Sequence, residues 1–262
     1  MNAAELIDLR RYPVDDPAGS QHLAASASAQ LQETGACELP GFLSAEGLAS
    51  CLHDARSLEA VAHRSSGRGT AYLEVPDPSW PDDHPRARRC RYSSGVVAYD
   101  QFGPGSPIRA LYEWDPLVRF LAQVLGYEVF RYADPLGALN LAVMVDDDEL
   151  QWHYDQTDFV VSLALQASDG GGTFDVVPRL RADGDERYDE VGRAIDGASD
   201  RVATLAMTPG TLLLFAGRHS LHRVSPVRGD TSRLVVLMGY DAQPGTRSSE
   251  VLQLARYGRT SR

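Results

Sequence analysis

The chain has 262 residues, 43% of them hydrophobic and 23% charged, with a formal net charge of −11, a composition ordinary for a soluble globular protein that can bury a full core. The acidic balance argues against unaided binding of nucleic acid or of an anionic membrane, because both need a basic footprint. All 25 basic residues are arginine, which excludes Schiff-base chemistry, pyridoxal phosphate attachment and a Walker P-loop, each of which requires a lysine.

The opening residues Met1 to Leu6 lack the basic-then-apolar pattern of a secretory leader, and no apolar run reaches membrane-spanning length, so a cytoplasmic protein is expected. Cys37, Cys51 and Cys90 are odd in number and scattered, which reads as free thiols in a reducing compartment. Ser20 to Thr34 repeats apolar residues at helical spacing and stops at Gly35; Ser44 can cap a second helix carrying Leu48, Leu52, Ala55 and Leu58. Residues 64–85 are rich in Gly, Pro, Asp and Ser and read as a long irregular loop, of a length that usually covers a site. Glu74 and His84 within it are candidate pocket residues. The cluster Arg86, Arg88, Arg89 and Arg91 follows, and one of its members, with Arg89 and Arg91 as candidates, is expected to receive a substrate carboxylate. Helical segments between Ile108 and Leu125 break near Asp115-Pro116 and end at Gly126.

Short alternating strands dominate from there: 127–132, 139–145, 159–166, 173–177, 202–207, 211–215 and 232–240, with proline and glycine turns between them, which indicates a sandwich or barrel. Residues 179–201 form a charged insert with Tyr188, Val191 and Ile195 on one helical face. It reads as a solvent-exposed helix joining two strands, with a lid over the barrel mouth as the alternative.

Chemistry concentrates in three places. In the run Gln151-Trp152-His153-Tyr154-Asp155, residues 153 and 155 point to the same side of a strand, so an imidazole and a carboxylate converge. Two histidines and one carboxylate form the facial triad of non-haem Fe(II) oxygenases, which leaves the opposite face of the metal open. A second histidine stands at His222 and, eleven residues on across a turn at Arg228-Gly229-Asp230, an arginine at Arg233, whose planar fork suits a carboxylate deep in a barrel. Asn140 lies on a strand that precedes the triplet.

With these elements in place the chain resembles the Fe(II)/2-oxoglutarate-dependent oxygenases: His153-X-Asp155, then His222 in the run His-X-Val-X-Pro-Val, then Arg233. Within them, Tyr132-Ala133-Asp134-Pro135, Leu139-Asn140, Trp152 to Asp155, Leu163 to Gln166, Gly171 to Phe174 and Gly217 to Val224 are similar to the group containing chlorinases and hydroxylases of free amino acids. The likeness covers roughly residues 70–245. It implies a mainly β fold with flanking helices, a double-stranded β-helix of the jelly-roll, cupin-like kind, in a single domain over residues 1–262: 1–126 mainly helical and loop scaffold, 127–245 the β-helix core.

The resemblance further implies Fe(II) held by His153, Asp155 and His222, with 2-oxoglutarate and O2 as cosubstrates. Arg233 would take the distal carboxylate of 2-oxoglutarate, and Asn140 could hydrogen-bond the cosubstrate near iron. His219 competes for the third ligand position, but the His-X-Val-X-Pro-Val run and the step to Arg233 select His222. In the resembling chlorinases a small residue replaces the carboxylate so that chloride can bind iron; Asp155 is retained here, so hydroxylation of a small polar substrate is expected, a free amino acid by resemblance. For a basic amino acid, Glu74, Asp134 and Asp158 are candidate carboxylates. A tailoring oxygenase of a larger natural product and a jelly-roll binding protein without turnover are the alternatives, and a homodimer is left open.

Overall fold

The computed structural model describes residues 2–74 and 77–261. Local signals explain the helices that open the chain. Helix α1 (Ala3–Leu6) begins with a reciprocal box in which the Glu5 backbone N–H donates to Asn2 Oδ1 at 3.1 Å and the Asn2 N–H to Glu5 Oε2 at 3.0 Å. Helix α2 (Gln21–Thr34) ends because Gly35 adopts a left-handed conformation, and leads directly into strand β1 (Ala36–Leu39). Ser44 caps α3 (Ala45–Leu58) by accepting from Gly47 N–H at 3.0 Å. Strands β2 (His63–Thr70) and β3 (Arg89–Val97) follow, then α4 (Pro107–Tyr112) and α5 (Asp115–Leu125), each with proline in its first turn.

The rest is mostly strand: β4 (Phe130–Arg131), β5 (Leu139–Met144), β6 (Glu149–His153), β7 (Val160–Gln166), β8 (Gly170–Gly171) and β9 (Phe174–Val177). Helix α6 (Tyr188–Ile195) interrupts before β10 (Ala203–Leu205), β11 (Leu212–Phe215), β12 (Leu221–Val224), β13 (Val227–Arg228), β14 (Arg233–Met238) and β15 (Tyr240–Asp241), and α7 (Glu250–Tyr257) closes the chain.

The principal sheet runs β1-β11-β7-β14-β5-β3-β6-β12-β9-β10 with β2 on β3, antiparallel throughout. Strand β3 pairs with β5 through Gly95–Val97 and with β6 through Tyr92 and Ser93, so it carries the ladder from one wall to the other. The fold is a double-stranded β-helix with helices on its outside. Period-two alternation sorts the side chains. On β14, Leu234, Val236 and Met238 face outward into a core shared with α2 to α5, while Arg233, Val235 and Leu237 face inward. The inward core joins Met144, Ala164, Leu213 and Phe215 of one wall to Phe174, Val176 and Val224 of the other. Each such side chain, fully buried, contributes about 1.5–3 kcal/mol relative to exposure. No helix among the described residues is long and apolar enough to cross a membrane.

Two expectations change. The stretch read as an irregular loop supplies strand β2 over residues 63–70, paired with β3 in eight successive positions; serines, glycines and arginines there carry no apolar alternation for a pattern to register. Residues 75 and 76 of that stretch lie outside the described set. Residues 1–126 are also more than scaffold, since β1, β2 and β3 all join the principal sheet.

Helix α7, unread in the sequence, is tied to the barrel by buried hydrogen bonds. Asp134, buried to 1% exposure, accepts from Leu136 N–H at 2.9 Å, Ser248 N–H at 2.8 Å and Gln253 Nε2 at 3.0 Å. Asp134→Ala strands these buried donors, each at about 1–3 kcal/mol, so urea unfolding should lose roughly 3 kcal/mol or more, whereas Asp158→Ala at the surface should stay within about 0.5 kcal/mol. Equal losses would refute the tethering role.

Candidate metal centre

His153 is the last residue of β6 and stands directly opposite His222 of β12 in the antiparallel register. The imidazole Nδ1 of His153 lies 2.8 Å from Gln151 O, and that of His222 lies 2.9 Å from Ser220 O. A carbonyl oxygen only accepts, so both Nδ1 atoms carry the proton and both Nε2 lone pairs are free for a metal. Such a backbone contact is what commonly fixes the tautomer and angle of a metal-binding histidine. The rings lie 4.2 Å apart between centroids, and Phe174 and Phe215 pack on His222 at 5.5 and 4.9 Å.

Asp155 arrives by a different route from the one its spacing suggests. The strand ends at His153, and the carboxylate is carried by the chain leaving it, where Asp155 N–H donates to Gly217 O at 3.1 Å. A Cβ on residue 217 would sit 2.4 Å from Asp155 Oδ2, so the carboxylate occupies its place because that neighbour is glycine. Asp155 Oδ2 lies 3.2 Å from His222 Nε2, and one ligand atom from each of His153, Asp155 and His222 falls within 4.8 Å of the others. Two imidazole nitrogens and one carboxylate oxygen, converging with the histidine tautomers already set, fit Fe(II). His219 turns away, its Nε2 3.3 Å from Asp183.

Burial, reinforced by the neighbouring His222, pushes the His153 imidazole down to about 4. Burial would lower His222 as well, but the Asp155 charge and hydrogen bond outweigh it and raise that imidazole. Burial works to raise Asp155; the His222 charge and hydrogen bond, then His153 and Arg256, hold it below the ordinary carboxylate range.

Arg233 begins β14 on the inward face and is 7% exposed. Its one polar contact among the described residues is Met144 Sδ at 4.0 Å, and burial alone lowers its pKa to about 10. It lines a cavity of about 170 Å³ together with Gln166, Ser168, Phe174 and Met207. A buried guanidinium with no anion beside it is costly, and a carboxylate entering this cavity would meet an unused fork of donors. Gly172 permits the arrangement, since a Cβ there would lie 3.0 Å from Arg233 Cδ.

The other sequence candidates are engaged elsewhere. Asn140 Nδ2 donates to Leu136 O at 3.0 Å and to Leu139 O at 2.7 Å, and its Oδ1 accepts from Tyr257 OH at 2.9 Å; no donor is left for a cosubstrate, and the residue serves to seat α7. Asp134 is the α7 tether described above. Glu74 is exposed and pairs with Arg86 at 2.5 Å, Asp158 with Arg218 at 2.5 Å, and Arg91 with Asp147 at 2.9 Å and Glu149 at 3.1 Å. Arg89 is exposed. Among the described residues none of these touches the triad. The charged insert lies behind the metal strand: Val191 and Ala194 of α6 pack with Tyr72, Trp152 and Tyr154 on the outer face of β6, and His84 stacks on Trp80 against Tyr188. Two features escaped the sequence reading: the role of Gly217, quoted there only as the start of a run, in making room for Asp155, and helix α7 itself. Ser249 before a run that stops at Gly258 was the available sign of that helix.

The fold and the triad are those of the Fe(II)/2-oxoglutarate-dependent oxygenases. The sequence pattern of the Halogenase D family matches residues 85–253, and the chain belongs to that family. Similar solved structures include a 2OG-Fe(II) oxygenase family oxidoreductase from Burkholderia pseudomallei (21% identity, 85% of this chain and 92% of that one, TM-score 0.53). A prolyl hydroxylase from Trichoplax adhaerens in complex with a hypoxia inducible factor peptide fragment is another (16%, 86% and 91%, TM-score 0.58). A third is SnoN, the non-haem α-ketoglutarate-dependent epimerase of nogalamycin biosynthesis (18%, 86% and 83%, TM-score 0.55). No curated protein matches the chain.

Below the raised titration of His222 a second proton sits on its Nε2 against Asp155, and a metal must displace that proton. Mn(II) titrated calorimetrically in buffers of different ionisation enthalpy should release about one proton per metal on the acid side of the raised His222 titration, with affinity rising as pH rises. Affinity independent of pH would contradict this displacement.

Proposed function

We propose that the protein is an Fe(II)/2-oxoglutarate-dependent hydroxylase that oxidises an unactivated C–H bond of a small polar substrate, a free amino acid. The observation that carries this reading is Asp155, a carboxylate at the third ligand position and within 3.2 Å of His222 Nε2. When bound, iron and 2-oxoglutarate supply activation of O2 coupled to decarboxylation of the keto acid. The chain's own residues do the remainder. His153 and His222, locked by Gln151 O and Ser220 O, orient the metal; Arg233 draws the distal carboxylate of the keto acid to the closed end of the barrel; Phe174 and Phe215 keep water from the His222 side.

A second reading has a specific observation in its favour, the Halogenase D family match over residues 85–253. A chlorinase of the resembling group needs the carboxylate position vacant for halide. Asp155 fills it here and Gly217 makes room for it, so oxygen is the group delivered to substrate.

Three measurements test the reading. Under argon, apoprotein given Fe(II) and 2-oxoglutarate should develop the visible band of a keto acid chelated to iron, lost in His222→Ala and kept in His219→Ala; loss in both, or retention in both, would remove the ligand assignment. Arg233→Met should raise the KM for 2-oxoglutarate roughly 100-fold or more, the cost of leaving a buried carboxylate unpaired. Asp155→Gly should abolish hydroxylation, and a variant that still forms product at the wild-type rate would sink the role of the carboxylate.

A further inference from the structure

The antiparallel ladder fixes two of the three metal ligands and leaves the third to other means. His153 and His222 face each other in the register of β6 and β12, but β6 ends at His153, and Asp155 lies two residues past that last paired position. Its place is therefore set by how the stretch leaving β6 packs against the turn at 216–220, which joins β11 to β12. The bond from Asp155 N–H to Gly217 O at 3.1 Å fastens the two together at one point.

Arg181, from the charged insert, fastens them again. Its guanidinium carbon lies 4.0 Å from the centre of the ring of Tyr154, the residue between the two ligands His153 and Asp155. Its Nε donates to Arg218 O at 2.6 Å and its backbone N–H to His219 O at 3.2 Å, so the same residue grips the turn that receives Asp155. Tyr154 is 1% exposed, packs on Tyr72 with ring centres 5.5 Å apart, and gives its N–H to Ala71 O at 2.8 Å. Its hydroxyl has no hydrogen-bond partner among the described residues, so the ring is held by its faces. Glu186 holds Arg181 in turn, accepting from its Nη1 at 3.2 Å and from Arg86 Nη2 at 3.3 Å. A planar, delocalised guanidinium can lie over an aromatic face and still hydrogen-bond from its own edge, which the point charge of an ammonium does less well.

We infer that Arg181 is the positioning residue for the third metal ligand: it clamps Tyr154 to the 216–220 turn, and through that clamp the insert at 179–201 sets where the Asp155 carboxylate stands relative to His222. Its hydrogen bonds among the described residues go to Arg218, His219 and Glu186 and none to a ligand side chain, so it acts through the backbone on either side of Asp155. The inference rests on the metal-centre reading above.

The test is a double-mutant cycle on metal affinity, read by calorimetric titration of metal-free full-length protein with no turnover involved. Cu(II) is the probe, because it stands at the top of the divalent affinity order and two imidazoles alone still hold it; a variant carrying both His153→Ala and His222→Ala measures binding elsewhere on the chain. Arg181→Gln should weaken Cu(II) about 10- to 100-fold, the usual effect of removing an outer partner of a metal ligand. In Asp155→Ala, where no carboxylate is left to place, the same substitution should cost no more than about twofold. Arg181→Lys, which keeps the charge but not the planar fork, should show a smaller loss, again confined to the chain that has Asp155, and it decides the matter if the glutamine variant does not fold. Arg193→Gln, on the exposed side of α6, should bind as wild type does. An equal loss in both backgrounds would mean a general structural role and would overturn the inference, as would wild-type affinity in the Arg181 variants. A wild-type chain that binds no better than the double-histidine variant would overturn the metal centre itself, and the positioning role with it.

Discussion

Everything at the site depends on one register: His222 opposite His153 across β12 and β6. A shift of one residue would turn both imidazoles to the outer face, since side chains alternate along a strand. The structure guards against that shift on both sides of the pair. Inside, Phe174, Phe215 and Val224 fill the barrel around His222. Outside, Trp152, Val177 and Leu221 bury against α6 and Tyr72. A slipped strand would drive Trp152 and Leu221 into the barrel and the imidazoles into the outer core, so two hydrophobic cores enforce the geometry of three ligand atoms.

This explains why the centre was legible from sequence and its surroundings less so. His153, Asp155, His222 and Arg233 are separated by fixed strand and turn lengths, and that spacing survives in the linear chain. Strand β2 was invisible because its His-Arg-Ser-Ser-Gly-Arg-Gly-Thr run has no apolar face; it is a strand only because β3 supplies eight partners. The carboxylates expected near substrate failed to gather at the site for a related reason. Asp134, Glu74 and Asp158 are acidic residues of suitable type, but their partners Gln253, Arg86 and Arg218 lie 119, 12 and 60 positions away along the chain, and no motif in the sequence marks those pairings.

Asp155 and Gly217 belong together physically. With Cβ absent at 217, the chain carrying Asp155 can approach closely enough for its N–H to reach Gly217 O while the carboxylate turns to His222. Both halves of this contact lie within the stretch that matches the Halogenase D family. A side chain at 217 would collide with the Asp155 carboxylate, so the glycine is part of the packing that lets this carboxylate stand beside His222.

Charge is unevenly placed on the inward face of the barrel. Arg233 is buried there with only a thioether beside it among the described residues, while His153, Asp155 and His222 gather one carboxylate and two imidazoles able to take a divalent cation. A buried guanidinium left without a carboxylate is costly unless an anion joins it, and a buried cluster of ligand atoms with its tautomers set is likewise completed by a cation. In a chain of net charge −11, the inward face therefore offers a cation position at the triad and an anion position on β14.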